Sequence, residues 1–376
     1  MDMVEKRLEI EKAKPGSGLR ISRWKRILFT VVIFSVFLIA LEMALRALDL
    51  PPTPQRLRHD GGLFEEVENA VGYNYKPGWS GYHSGGKTTI NSFGWRGREF
   101  SIDKPPRTLR ILGVGDSFTF GRAVDDEDIY LVRLEQMLNQ DGGLRYETIN
   151  SGHERINTVS ELQFMKERQM MKLRPDIVVL GFTVHNDAQS SKNRKVFLKR
   201  KRQSSLLLRI TESDRFKNLS DSFRLAKVIR GGAEWAVSDE LAELHANIIL
   251  DNYEEDSKSW KACREALLGI LALCQENHTP LIVAIFPVYT RDINQTYKDY
   301  SDDFKKVHEQ LKSVFSDRSG VTVVDMLDDL AASGLAIRDI RVPIDGHPNR
   351  VWHEMVARRL YQTIKDMGLK PTDGRK

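Results

Sequence analysis

The chain has 376 residues, 41% apolar and 29% charged, a balance that supports a packed core and excludes gross disorder for most of its length. Its net charge of +5 is concentrated in two short runs. Roughly +4 lies in residues 1–26 and roughly +7 in residues 192–202, which leaves the remainder at roughly −6 and gives no basic face for nucleic acid.

Residues 1–26 read as a basic cytosolic tail and residues 27–48 as a transmembrane signal anchor. The run Ile27 to Leu41 carries no charge, and Glu42 and Arg46 stand one helical turn apart, where they can pair near a membrane interface. A cleaved signal peptide is the competing reading. The long basic segment and the lack of a small-x-small site before Pro51 favour an uncleaved anchor. The excess of Lys and Arg before the helix predicts a cytosolic N-terminus and a periplasmic or extracellular main domain.

Residues 49–107, rich in Pro, Gly and aromatics, read as a linker and irregular lead-in. From residue 108 to 370 short apolar runs at 109–114, 146–150, 177–181, 281–286 and 321–325 alternate with helical patterns at 127–139, 158–172, 256–277, 302–315 and 350–366. That alternation predicts an α/β sandwich around a mainly parallel sheet. Thr158 and Glu161 have the spacing of a capping box. A stretch from about 190 to 250 interrupts the pattern and reads as a helical insertion. Its basic run reads as a solvated helix face, with anionic lipid or acidic polysaccharide as the alternative contact. Cys263 and Cys274 fall in one predicted helix, about 16 Å apart, too far to bridge.

The sharpest chemical feature is Gly115-Asp116-Ser117-Phe118-Thr119-Phe120-Gly121 at the carboxyl end of the first strand, the edge where catalytic groups collect in open α/β sheets. Near the C-terminus, Asp345-Gly346-His347-Pro348-Asn349 supplies a base for Ser117 in His347, and a carboxylate, Asp345, to orient it. Each motif alone is equally a turn. Asn150-Ser151-Gly152 and His185-Asn186-Asp187 end the second and third strands, and offer the Gly152 N–H and the Asn186 amide as oxyanion donors. In isolation these read as a turn and a helix cap.

Residues 81–88 satisfy the P-loop pattern, but no strand precedes them and no helix follows, so the match is rejected. No spacing suggests a metal, and no cofactor is expected.

In order, GDSFTFG, the Gly of NSG, HND and DGHPN resemble blocks I, II, III and V of the SGNH (GDSL-like) hydrolases. Asn91-Ser92-Phe93-Gly94-Trp95-Arg96-Gly97 and Arg110-Ile111-Leu112 resemble membrane-anchored bacterial members. The resemblance covers residues 90–190 and 255–366. It implies a flavodoxin-like three-layer α/β/α sandwich, Ser117 as nucleophile, Asp345 and His347 completing a triad, and an oxyanion hole from the Ser117 N–H, the Gly152 N–H and the Asn186 side chain. Phe118 replaces the leucine of GDSL, and His153-Glu154-Arg155 stands where many relatives have a second glycine and a tyrosine. Both departures are expected to bear on substrate shape.

The expected activity is hydrolysis of an O-acyl ester, on a small molecule or an envelope glycan, through an acyl-serine intermediate. The same apparatus suits a membrane-tethered O-acyltransferase fed by a neighbouring membrane protein, and a non-catalytic carbohydrate-binding module is the third reading.

Overall fold

The computed structural model describes residues 22–48, 62–69, 71–189, 206–211, scattered positions from 213 to 229, 238–289, 294–342 and 346–369. The basic run 192–202 and Asp345 lie outside the described residues. The chain divides into two compact units, Met1–Thr53 with Ile210–Glu234, and Pro54–Arg209 with Trp235–Lys376.

The first unit contains helix α1, Arg23–Ala47, long and apolar enough to cross a membrane. Ser22 caps its first turn, accepting from the Lys25 N–H at 3.4 Å. The apolar side chains from Ile27 to Phe37 are exposed, as a helix made for lipid requires. The predicted Glu42–Arg46 pair forms at 2.7 Å.

In the second unit the lead-in makes two antiparallel hairpins, β1 (Phe64–Glu66) with β2 (Tyr73–Tyr75) and β3 (Ser80–His83) with β4 (Gly86–Thr89). The P-loop-like residues thus form a hairpin. The central sheet has five parallel strands, β5 (Thr108–Gly115), β6 (Arg145–Asn150), β7 (Ile177–Thr183), β8 (Leu281–Phe286) and β9 (Val321–Asp325), in the order β6-β5-β7-β8-β9. This is the flavodoxin-like order, the fold that the family resemblance implies. Every residue of β5, β7 and β8 is buried because both faces of the sheet are covered, and the strands read as largely apolar runs, broken in β5 by Arg110, which pairs with Glu147 at 2.8 Å.

The helices of this unit are α2 (Ser117–Phe120), α3 (Tyr130–Gln140), α4 (Thr158–Glu167), α5 (Ser238–Tyr253), α6 (Lys258–Glu276), α7 (Asp302–Ser313), α8 (Met326–Ser333) and α9 (Arg350–Asp366). They pack in two groups, α3 with α9 and α8, and α4 with α6, α5 and α7, giving the three-layer sandwich. Cys263 and Cys274 are both buried and free in α6.

Two local expectations are corrected. Helix α4 stops at Glu167, because Gln169 and Arg174 take left-handed backbone (φ 48° and 51°) around a single 3-10 turn. Its cap is Asn157, accepting from the Ser160 N–H at 3.1 Å, so no Thr158–Glu161 capping box forms and the Glu161 carboxyl is buried in the core.

Candidate active site

Strand β5 ends at Gly115 and the chain turns directly into α2, whose first residue is Ser117. Asp116 starts that turn, its Oδ1 accepting the Phe118 N–H at 2.9 Å. Gly121 finishes it with φ 84°, a left-handed position suited to glycine, its N–H returning to the Ser117 carbonyl at 3.1 Å. Because β5 lies between β6 and β7, where the strand order reverses, Ser117 stands at the switch point of the sheet.

His347 arrives from 230 residues away, its Nε2 2.9 Å from Ser117 Oγ. With the proton on Nδ1, the serine hydroxyl donates to Nε2, the arrangement in which imidazole acts as a base. The loop carrying it closes on itself: Val342 N–H donates to the His347 carbonyl and Gly346 N–H to the Val342 carbonyl, both at 2.8 Å. Asn349 then caps α9, accepting from the Val351 and Trp352 amides.

Asp116 is fully buried and accepts three hydrogen bonds, from Phe118 N–H, from Thr183 Oγ1 at 3.1 Å and from Asn186 Nδ2 at 3.0 Å. Burial pushes its carboxyl up to about 6, against these donors and the nearby His347. Asn186 also donates to the Ile156 carbonyl, so both amide hydrogens of this sequence-predicted oxyanion donor are engaged. The Gly152 N–H donates to Asn150 Oδ1 at 2.9 Å. Gly152 packs on the backbone of α2 and Asn186 bonds Asp116, the residue before Ser117, and each of the two donors is paired internally. The Ser117 N–H opens α2, where amides have no acceptor within the helix.

Gly152 has a packing reason to be glycine. A Cβ there would lie 2.4 Å from the Phe120 nitrogen and 2.8 Å from the Thr119 carbonyl carbon, so the second strand's turn rests directly on the backbone of α2. Asn150 adds a hydrogen bond from Nδ2 to the Thr119 carbonyl at 3.0 Å.

Three features escape sequence reasoning. Arg96, 2% exposed, donates to the carbonyls of Phe120, Gly121, Lys87 and Val124 and pairs with Asp126 at 2.8 Å, clamping the far end of α2. Its place in the Asn91–Gly97 motif was the only signal; its contacts are to backbone atoms that no pattern reveals. Phe118 is buried, not exposed to a substrate, and its ring lies 5.8 Å from that of His347 and 5.6 Å from that of Trp352. His153 and Glu154 are likewise buried. His153 stacks on Tyr73 at 4.8 Å, and the Glu154 carboxylate meets His83 at 3.0 Å and Arg122 at 3.3 Å. Burial works against that charge, but His83 and Arg122 prevail and hold the carboxyl below its usual range. The departures at 118, 153 and 154 therefore tie the lead-in and the base to the core instead of shaping a substrate pocket, while Arg155 is exposed.

Behind the site lies a buried acidic pair. Burial and the Asp116 charge push Glu161 up, against a hydrogen bond with Asp187, and burial, Glu161 and Asp116 push Asp187 up, which favours the protonated forms. Asp187 Oδ2 accepts the Thr183 N–H, fastening the turn that carries Asn186 to the end of β7.

No family model and no curated protein matches the sequence. Solved structures similar to it are lipolytic and esterase proteins. A lipolytic protein of the G-D-S-L family from Desulfitobacterium hafniense DCB-2 is 14% identical, with a TM-score of 0.39 over 68% of this chain and 98% of that one. The lipase/acylhydrolase from Enterococcus faecalis is 16% identical, with a TM-score of 0.41 over 71% of this chain and 100% of that one. The acetyl xylan esterase AlAXEase is 13% identical, with a TM-score of 0.39 over 68% of this chain and 100% of that one. At such identities and scores, function has to be argued from this chain's own residues.

Proposed function

We propose that the protein is a serine ester hydrolase that cleaves an O-acyl ester through an acyl-Ser117 intermediate. The observation that carries this reading is the 2.9 Å approach of His347 Nε2 to Ser117 Oγ at the carboxyl edge of a parallel sheet. His347 takes the Ser117 proton as Oγ attacks the acyl carbon, then gives it to the departing alkoxide. Water, deprotonated by the same nitrogen, releases the acid. Asp345, two residues before His347, is the proposed acceptor of the Nδ1 proton.

The negative oxygen of the tetrahedral intermediate is assigned to the Ser117 N–H, the Gly152 N–H and the Asn186 amide. The last two give up their bonds to Asn150 and to Asp116 or Ile156 when the oxyanion forms. Helix α1 is proposed as an uncleaved anchor with its N-terminus in the cytosol, and the catalytic unit as periplasmic or extracellular. An O-acetylated glycan is the proposed ester; two of the similar structures are named for acetylated xylan and mannan.

The test is p-nitrophenyl acetate turnover by the full chain in detergent beside Ser117→Ala and His347→Ala. Each substitution is expected to lower kcat by about 10⁴-fold or more. Equal activity in all three proteins rejects the assignment. With acetylated xylan as substrate, free acetate supports the hydrolase, whereas acetate kept on an added glycan supports an acyltransferase working through the same serine.

A further inference from the structure

The sharpest anomaly outside the site is in the anchor helix. Glu42 is its buried residue, at 9% exposure, flanked by half-buried Leu38, Leu41 and Leu45, while Ile39 and Met43 are exposed. Its carboxylate accepts from Arg46 Nε at 2.7 Å and from the backbone N–H groups of Leu225 at 2.9 Å and Arg224 at 3.1 Å, all within the same compact unit. The fifteen uncharged residues before Glu42 span about 22 Å of helix, which sets it close to the far boundary of a hydrocarbon layer about 30 Å thick. A carboxylate at that depth must be satisfied by protein donors, and backbone amides brought to it must sit at the same depth.

We propose that the described residues between Ile210 and Ile229, among them Leu219, Phe223 to Ala226, Val228 and Ile229, form a second membrane-seated element, lying in the outer interface of an anionic bilayer against α1 and held there by Glu42. Ile210, Leu219, Phe223, Val228 and Ile229 are 50%, 46%, 45%, 44% and 42% exposed. Apolar side chains in that number beside a lipid-facing helix meet lipid rather than water. Charge selects the occupant. The apolar residues are interleaved with Arg215, Lys217, Arg224, Lys227 and Arg230 against Glu212, Asp214 and Asp221, roughly +2, and the upstream stretch from 192 to 209 adds roughly +8 in sequence, a balance that an anionic headgroup layer would attract and a second copy would repel. The proposal rests on α1 spanning a membrane, and it gives the insertion an anchoring role instead of that of a solvated surface.

The test uses the full chain in vesicles of phosphatidylethanolamine and phosphatidylglycerol, with an environment-sensitive fluorophore on a single introduced cysteine at Phe223, Val228 or, as the anchor control, Ile33. The native cysteines are buried and leave the label to the introduced site. Labels at 223 and 228 are expected to shift to the blue and to lose more than half their emission to spin-labelled lipid, as the label at 33 does. Glu42→Ala, checked by far-ultraviolet circular dichroism for intact folding, is expected to at least halve that quenching at 223 and 228 and leave it unchanged at 33. Water-like, unquenched emission at 223 and 228 beside a quenched label at 33 overturns the proposal while the anchor stands. No quenching at 33 overturns both. Self-quenching between labelled copies without lipid quenching assigns the face to a second copy and also overturns it, and quenching indifferent to Glu42→Ala removes the role given to that residue.

Discussion

Ser117 is carried on one turn of helix fastened at both ends, by Asp116 at its start and by Arg96 at its finish, whereas His347 is carried on a loop closed on itself through Val342. The nucleophile's support is long-range and polar: Asn150, Thr183 and Asn186 come from two other strand ends, and the Gly152 turn is packed against α2. The base's support is short-range in the backbone, with the Phe118 ring beside the imidazole at 58° to it. A polar framework fixes position to within a hydrogen bond's tolerance; a tilted ring contact limits rotation but leaves sliding freedom. The nucleophile side is thus the fixed reference, and the base side is where small adjustments are absorbed.

The largest effects test whether the two sides meet at one bond. Ser117→Ala and His347→Ala are each expected to abolish nearly all turnover, and the double variant to lose no more than either alone, because the two groups act as one unit. An additive loss in the double variant separates them. Next comes the clamp. Arg96→Ala leaves four carbonyls and the partly buried Asp126 carboxylate without their donor, and is expected to cost about 3–5 kcal/mol of stability, read from urea unfolding of the full chain. Arg96→Lys restores the charge without the fork and is expected to recover less than half. A loss under about 1 kcal/mol makes the clamp incidental.

Asp116→Asn exchanges an acceptor for a group whose amide faces the amide of Asn186. The expected loss is about 10- to 100-fold in kcat, with KM little changed, as one charge-assisted hydrogen bond is removed. Stability moves the other way with pH. The folded-state pKa of Asp116 is raised from 3.8 to about 6, so the protonated carboxyl contributes stability that is fully present below pH 3.8 and lost as the pH rises through about 6. Asparagine carries no such loss. The variant is therefore expected to gain on the wild type by about 2–3 kcal/mol between pH 4 and pH 8, measured by thermal midpoints; a gap that does not widen leaves Asp116 ordinary.

The same contrast explains what the sequence reveals. Strand β8 and helix α9 match their sequence limits because burial on both faces, or on one helical stripe, writes itself into local apolar order, and the partly buried β9 matches through its β-branched run from Val321 to Val324. Helix α4 was overextended since Met170, Met171 and Leu173 continue the apolar pattern while Gln169 turns the backbone left-handed. The lead-in hairpins are three or four residues per strand, too short to show alternation. Ser117 and His347 are legible because glycine and proline punctuate the turns that carry them. Arg96, Glu154 and Phe118 are not, because what they touch lies far away in sequence.

Phe118→Leu gives the smallest effect and the finest test. Leucine keeps the position apolar but removes the ring beside His347, Trp352 and Phe286, for an expected cost of about 1 kcal/mol in stability. If the rings limit the tilt of the imidazole, kcat falls by roughly 3- to 10-fold while KM stays constant, since only the geometry of proton transfer is disturbed. Unchanged kcat assigns the orientation of His347 to its own loop alone. A loss above about 100-fold makes Phe118 the principal support of the base, and the nucleophile side would then hold both partners of the bond.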